Sequence, residues 1–165
     1  MVLLLDNVTG LLWAQDMKTP GPTDGFNALN CTRSGLQVNW QEALDHVKCI
    51  NTYSYLGFTD LRLPTAGELA SIVNYSVADQ HAGLASAGFI IPIGMQSASG
   101  HYYWSSTTRL DSNTHAFALG RNNGNVESFP KGYFSYSRNA YAANWNCANG
   151  YNCDYYLAWP VRGNQ

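Results

Sequence analysis

Apolar residues recur at helical spacing along Asn39–Ile50, NWQEALDHVKCI, where Trp40, Ala43, Leu44, Val47 and Ile50 share one face. Asn39 can cap that helix, and Glu42, three residues on, completes a capping box. Thr65–Asn74, TAGELASIVN, repeats the pattern. Pro64 stops whatever precedes it, Thr65 and Glu68 form the box, and Leu69, Ile72 and Val73 form the stripe. Upstream, Val8–Gln15 reads as a turn leading into an apolar strand. Asp16–Gly35, rich in Gly, Pro, Thr and Asn, reads as a loop. After residue 100 the texture becomes that of strands. His101–Thr107 (HYYWSST), His115–Gly120 (HAFALG) and Asn125–Pro130 (NVESFP) are short, aromatic or β-branched, and separated by turn residues. Arg121–Asn125, RNNGN, fits a hairpin turn because Asn and Gly accept positive φ cheaply. Tyr156–Gly163, YLAWPVRG, reads as a closing strand. Two helices followed by an antiparallel run predict an α+β domain.

Composition narrows this picture. The 165 residues fit one domain with a single core. Charged residues are 12%, about half the usual ~25%, so the surface must be polar through Asn, Ser, Thr and Tyr. The net charge is −2 and the 9 Lys and Arg are scattered, which predicts no nucleic-acid partner and no anionic-membrane field. No apolar run approaches the ~20 residues of a membrane span. MVLLLDN is too short for a signal peptide, so either the chain is cytoplasmic or a leader is missing. Four cysteines allow three pairings. We expect Cys31 with Cys49 and Cys147 with Cys153. Without a CxxC, a zinc site is weakly supported.

Catalytic chemistry finds little footing. There is no HExxH, GxSxG or Gly-rich phosphate loop, so no catalytic residue, metal or cofactor is expected. His46 falls on the polar side of the first helix and His81 in a loop. His101 and His115 begin adjacent strands and could come close, but a metal needs three or four ligands. Arg62, between two leucines, would lie near the core and need several partners, which Asp60 and carbonyls could supply. Trp13, Trp40, Trp104 and Trp159 are expected in the core, each with an indole N–H to satisfy.

The order TGLLWAQ, W-x-x-A-L, LGFTDLRLPT-x-x-E-L-x-S-I-V, YWSST, F-x-L-G and PVRG resembles the family named for the C-terminal domain of the Legionella collagen-like protein. The resemblance runs from about Val8 to Gly163. It implies a C-type-lectin-like fold, with two helices flanking short antiparallel sheets, N- and C-terminal strands paired, and ligand presented from an irregular surface near the C-terminus. It also implies a cell-surface or extracellular role. The superfold includes formylglycine-generating enzymes, which use a Cys pair, but WNCANGYNCD around Cys147 and Cys153 does not match their motif. A calcium-dependent lectin is not expected either. The second half holds only Asp111, Glu127 and Asp154 as carboxylates, and the sugar-chelating signatures are absent.

Residues 133–158 form a candidate variable region. Its contact residues would be Tyr133, Ser135, Tyr136, Ser137, Asn139, Tyr141, Asn144, Asn146, Asn149, Tyr151, Asn152, Asp154 and Tyr155. Tyr offers rigid amphipathic area, and Asn and Ser offer adaptable hydrogen bonds, as in a paratope. The plainer reading is that Asn and Gly make turns and Tyr fills grooves. The region also resembles those of the variable proteins of diversity-generating retroelements, where template adenines are randomised. An Asn codon so treated cannot yield Lys, Glu, Gln, Met or Trp. The window lacks the first four and holds only Trp145 of the fifth. Cys147 and Cys153 would on that reading be products of diversification themselves. The expected partner is a protein on another cell, virus or surface. The alternative is a fixed-sequence adhesion or glycan-binding domain.

Overall fold

The computed structural model describes residues 2–17, 31, 38–91, 101–132, 135–137 and 153–163, without the side chains of residues 101, 135–137 and 153–155. They form strands β1 (Leu3–Leu5) and β2 (Leu12–Ala14), then helix α1 (Trp40–Thr52), a 3-10 turn (Tyr55–Gly57) and helices α2 (Ala66–Ser71) and α3 (Gln80–Ser86). Strands β3 (His101–Arg109), β4 (Ser112–Gly120), β5 (Val126–Pro130), β6 (Ser135–Ser137), β7 (Cys153–Leu157) and β8 (Val161–Arg162) follow. The class is α+β, as the sequence predicts. Among the described residues, no helix is long and apolar enough to cross a membrane.

Both capping boxes form. Asn39 accepts from the Glu42 amide while the Glu42 carboxylate accepts from the Asn39 amide. Thr65 and Glu68 repeat the exchange, so orphan donors at both helix starts are satisfied locally. α3 was not expected. Asp79 caps it, but within Gln80–Ser86 the buried side chains are only Gln80 and Leu84, too few to show a helical stripe. His81 therefore lies on a helix rather than in a loop.

The sheets explain why the core needs so many aromatics. A three-stranded antiparallel sheet runs β1-β2-β8, which pairs the N- and C-terminal strands, Leu12 opposite Arg162 and Trp13 opposite Val161. A five-stranded sheet runs β5-β4-β3-β7-β6. It is mixed, since β7 lies parallel to β3, a departure from the all-antiparallel expectation. Parallel neighbours need a long crossover, so the β7 pairing joins segments far apart in sequence. Tyr156–Gly163 is not one strand either. Ala158, Trp159 and Pro160 separate β7 from β8, and the two strands belong to different sheets.

Alternation along the strands sends neighbours to opposite faces. Tyr103, Leu119 and Leu157 join one buried cluster with Trp13, Leu69, Leu84 and Trp159. Trp104, Ala118 and Tyr156 join the other, with Ala43, Val47 and Ile50 of α1. Trp13, Trp104 and Trp159 are fully buried, and Trp40 is partly buried against the second cluster. The indole N–H groups of Trp40, Trp104 and Trp159 donate to the carbonyls of Ser105, Val38 and Ala14. That of Trp13 has no partner among the described residues.

Arg62 finds the expected carbonyls, donating to Leu63 at 3.3 Å and to Gly163 at 3.4 Å, but not the expected carboxylate. Its guanidinium grips Glu68 with both Nη atoms, at 2.8 and 2.7 Å. Asp60 instead accepts from Arg162 Nε at 2.7 Å. Backbone bonds between Arg62 and Val161 fasten this segment to β8. Arg62 and Glu68 are six residues apart and meet across the start of α2, a geometry the Asp60 spacing could not reveal. The expected Cys31–Cys49 disulfide is present. The Cys147–Cys153 pairing falls outside the described residues.

Candidate functional site

The Tyr/Asn-rich window is entered and left through a short antiparallel stem. Ser135 stands opposite Tyr155, Tyr136 opposite Asp154 and Ser137 opposite Cys153 in the β6–β7 register. Of the expected contact residues, this places Ser135, Tyr136, Ser137, Asp154 and Tyr155 on the stem. Tyr133, Asn139, Tyr141, Asn144, Asn146, Asn149, Tyr151 and Asn152 lie outside the described residues.

The two ends of the window are fixed at one place. The Trp40 amide donates to the Lys131 carbonyl at 3.0 Å, and the Val38 amide donates to the Tyr156 carbonyl at 3.0 Å. Val38 in turn accepts from Trp104 Nε1 at 2.9 Å. Lys131 Nζ lies 3.9 Å from the centroid of the Trp40 ring, within cation–π range. A stretch of three residues, centred on the Asn39 cap, thus holds the chain where it departs and where it returns. Asn39 is legible as a cap; its two long-range neighbours are not, because backbone bonds to Lys131 and Tyr156 leave no signal in side-chain pattern.

The structure also trims the window. Tyr156, Leu157 and Ala158 are buried, and Tyr156 stacks on Tyr102 and Trp104 with centroids 5.1 and 4.8 Å apart. The candidate surface therefore ends at Tyr155 rather than at residue 158.

The histidines do not converge. β3 and β4 are antiparallel, with Tyr102 opposite Gly120 and Thr108 opposite Ala116, so His101 and His115 sit at opposite ends of their hairpin. His115 Nδ1 is within hydrogen-bond distance of Ser112 Oγ and Thr114 Oγ1, and His46 Nδ1 meets the Cys31 carbonyl. Among the described residues no group of three His, Cys, Asp or Glu side chains could hold a metal.

The signature motifs lie elsewhere and build a frame. Ser106 docks on the Pro64 carbonyl through its amide at 2.7 Å, and Thr107 Oγ1 accepts from the Ala66 amide at 3.0 Å. Ser105 Oγ donates to the Phe117 carbonyl, beside the register shift that interrupts the β3–β4 ladder. Hydrogen bonds from Arg62 hold the Glu68 carboxyl below its usual range, against the opposing effect of burial. Burial pushes the Tyr103 phenol up and the Arg121 guanidinium down.

These motifs knit an α+β domain with its terminal strands paired and with the β6–β7 stem anchored beside Val38–Trp40. The chain belongs to the Lcl C-terminal domain family, whose model matches residues 3–162. No curated protein and no solved structure matches it.

Proposed function

We propose that this chain is a non-enzymatic ligand-binding domain. On this reading it is the variable protein of a diversity-generating retroelement, carrying a diversified Tyr/Asn-rich face on a C-type-lectin-like scaffold. The observation that carries the reading is the root. Both ends of the window are hydrogen-bonded to Val38–Trp40, so the sequence between them can change while the frame stays fixed. Composition supports the same view, since the window lacks Lys, Glu, Gln and Met, four of the five residue types that adenine randomisation of Asn codons cannot make, and holds a single Trp, Trp145, of the fifth. Recognition then works through Tyr anchors and adaptable Asn and Ser hydrogen bonds, with another protein as partner. The Cys31–Cys49 disulfide supports an extracellular or cell-surface setting, because such bonds persist in oxidising compartments.

The test is on the gene. The expected result is a nearby near-copy of the codons for Tyr133–Ala158, differing only where it carries adenine, beside a reverse transcriptase gene. Differences at positions other than adenine, or no copy, would replace this reading with a fixed-sequence adhesion domain.

A further inference from the structure

A groove opens toward the far end of α1 from the window's root. Leu44 and Val47 of α1 face Leu61 and Leu63 across an open cavity of about 320 Å³, with Lys48 and Arg62 also lining it. We propose that this groove binds a small monocarboxylate with a short apolar body.

Size and charge both point to that class. The volume lies at the lower end of small-molecule sites, which are mostly apolar with a few orienting polar groups. Four aliphatic side chains supply the apolar walls, where an alkyl chain leaves water favourably. The remaining polar neighbours are engaged: the Asn51 amide bonds both backbone groups of Leu61, and Ser106 Oγ bonds the Pro64 carbonyl. Arg62 is neutralised by Glu68 at 2.7 Å. Asp45, three residues before Lys48 on the helix, accepts from Gln41. Among the described residues no carboxylate lies within ion-pair distance of Lys48, so the groove carries one uncompensated positive charge and matches a single anionic head. Its described lining comes from α1, Leu61–Leu63 and Ser106, so the proposal does not rest on the reading of the 133–155 window.

The experiment titrates ¹⁵N-labelled protein with sodium octanoate, using octanol and octylammonium as controls. Octanoate should give saturable shifts clustered at Leu44, Lys48, Leu61, Arg62 and Leu63. It should bind about tenfold tighter than octanol, the scale of one charge-assisted hydrogen bond. Lys48→Glu should abolish that preference and Lys48→Arg should keep it; Lys48 is exposed, so both variants leave the core intact. Absence of clustered shifts, equal affinity for octanol and octanoate, or an unchanged preference in Lys48→Glu would each overturn the proposal.

Discussion

At the junction of Leu61–Thr65 with Trp104–Thr107, each side chain is either buried or bonded within the domain. Leu61, Leu63 and Trp104 fill the core, Arg62 clamps Glu68, Thr65 caps α2, and Ser105, Ser106 and Thr107 close backbone groups. Between Lys131 and Tyr156 the arrangement is of another kind. Among the described residues, the ties there are the β6–β7 register, two backbone bonds to Val38 and Trp40, and the Lys131–Trp40 contact. Side-chain identity matters at the junction, whereas the described hold on the stem is carried by backbone groups. The difference teaches that motifs strong enough to identify the family describe its frame and say nothing of what the window does.

The largest expected effect separates the two regions by stability. Trp104 is fully buried, donates to Val38 and stacks on Tyr156. Trp104→Ala should cost about 3–5 kcal/mol, the range for a large aromatic removed from a core. Tyr141→Ala and Tyr151→Ala should stay within about 0.5 kcal/mol, as for substitutions outside a core. Urea unfolding of the three variants measures this directly. A loss near that of Trp104→Ala at either tyrosine would make the window part of the core and end the comparison.

A smaller effect concerns the link beside the root. The Cys31–Cys49 disulfide spans 18 residues and ties the segment that leads into Val38 to helix α1. Closing a loop of that length limits the unfolded chain by about 3 kcal/mol in the chain-entropy view. Cys31→Ser with Cys49→Ser should lose about that much in denaturant unfolding. A loss under about 1 kcal/mol would show that the bridge contributes little beyond the contacts α1 already makes.

How far the sequence foretold this follows from the range of each interaction. The capping boxes at Asn39 and Thr65 were legible because donor and acceptor lie three residues apart. The hairpin turn at Arg121–Asn125 was legible for the same local reason. The place of Arg62 near the core and its carbonyl partners are legible, but its carboxylate partner is Glu68 rather than Asp60, since nothing in the spacing says that Asp60 reaches across to Arg162. The parallel pairing of β7 with β3, and the split between β7 and β8, depend on contacts between distant segments. Helix α3 carries too few apolar residues to announce itself. The window was conspicuous by composition, whereas its root, made of main-chain bonds, had no composition to read.

The smallest effect tests whether the junction's polar groups matter as its apolar ones do. Glu68 takes two bonds from Arg62 and one from the Thr65 amide, and its side chain is 17% exposed. Its folded carboxyl titrates below the ordinary value of 4.5, chiefly because Arg62 donates to the charged form. A depressed carboxylate stabilises the fold fully above its unfolded value, and that contribution disappears as pH falls from 4.5 through the lower folded value. Glu68→Gln should therefore cost about 1–2 kcal/mol at pH 7, from weakened charge-assisted bonds. The gap between variant and parent should then close under acid, because the parent's carboxyl is protonated there. Urea midpoints of both proteins at pH 7 and in acid read the gap. A gap that persists unchanged in acid would mean that shape, rather than the Arg62–Glu68 charge pair, holds α2 against β8. The junction would then differ from the window in packing alone.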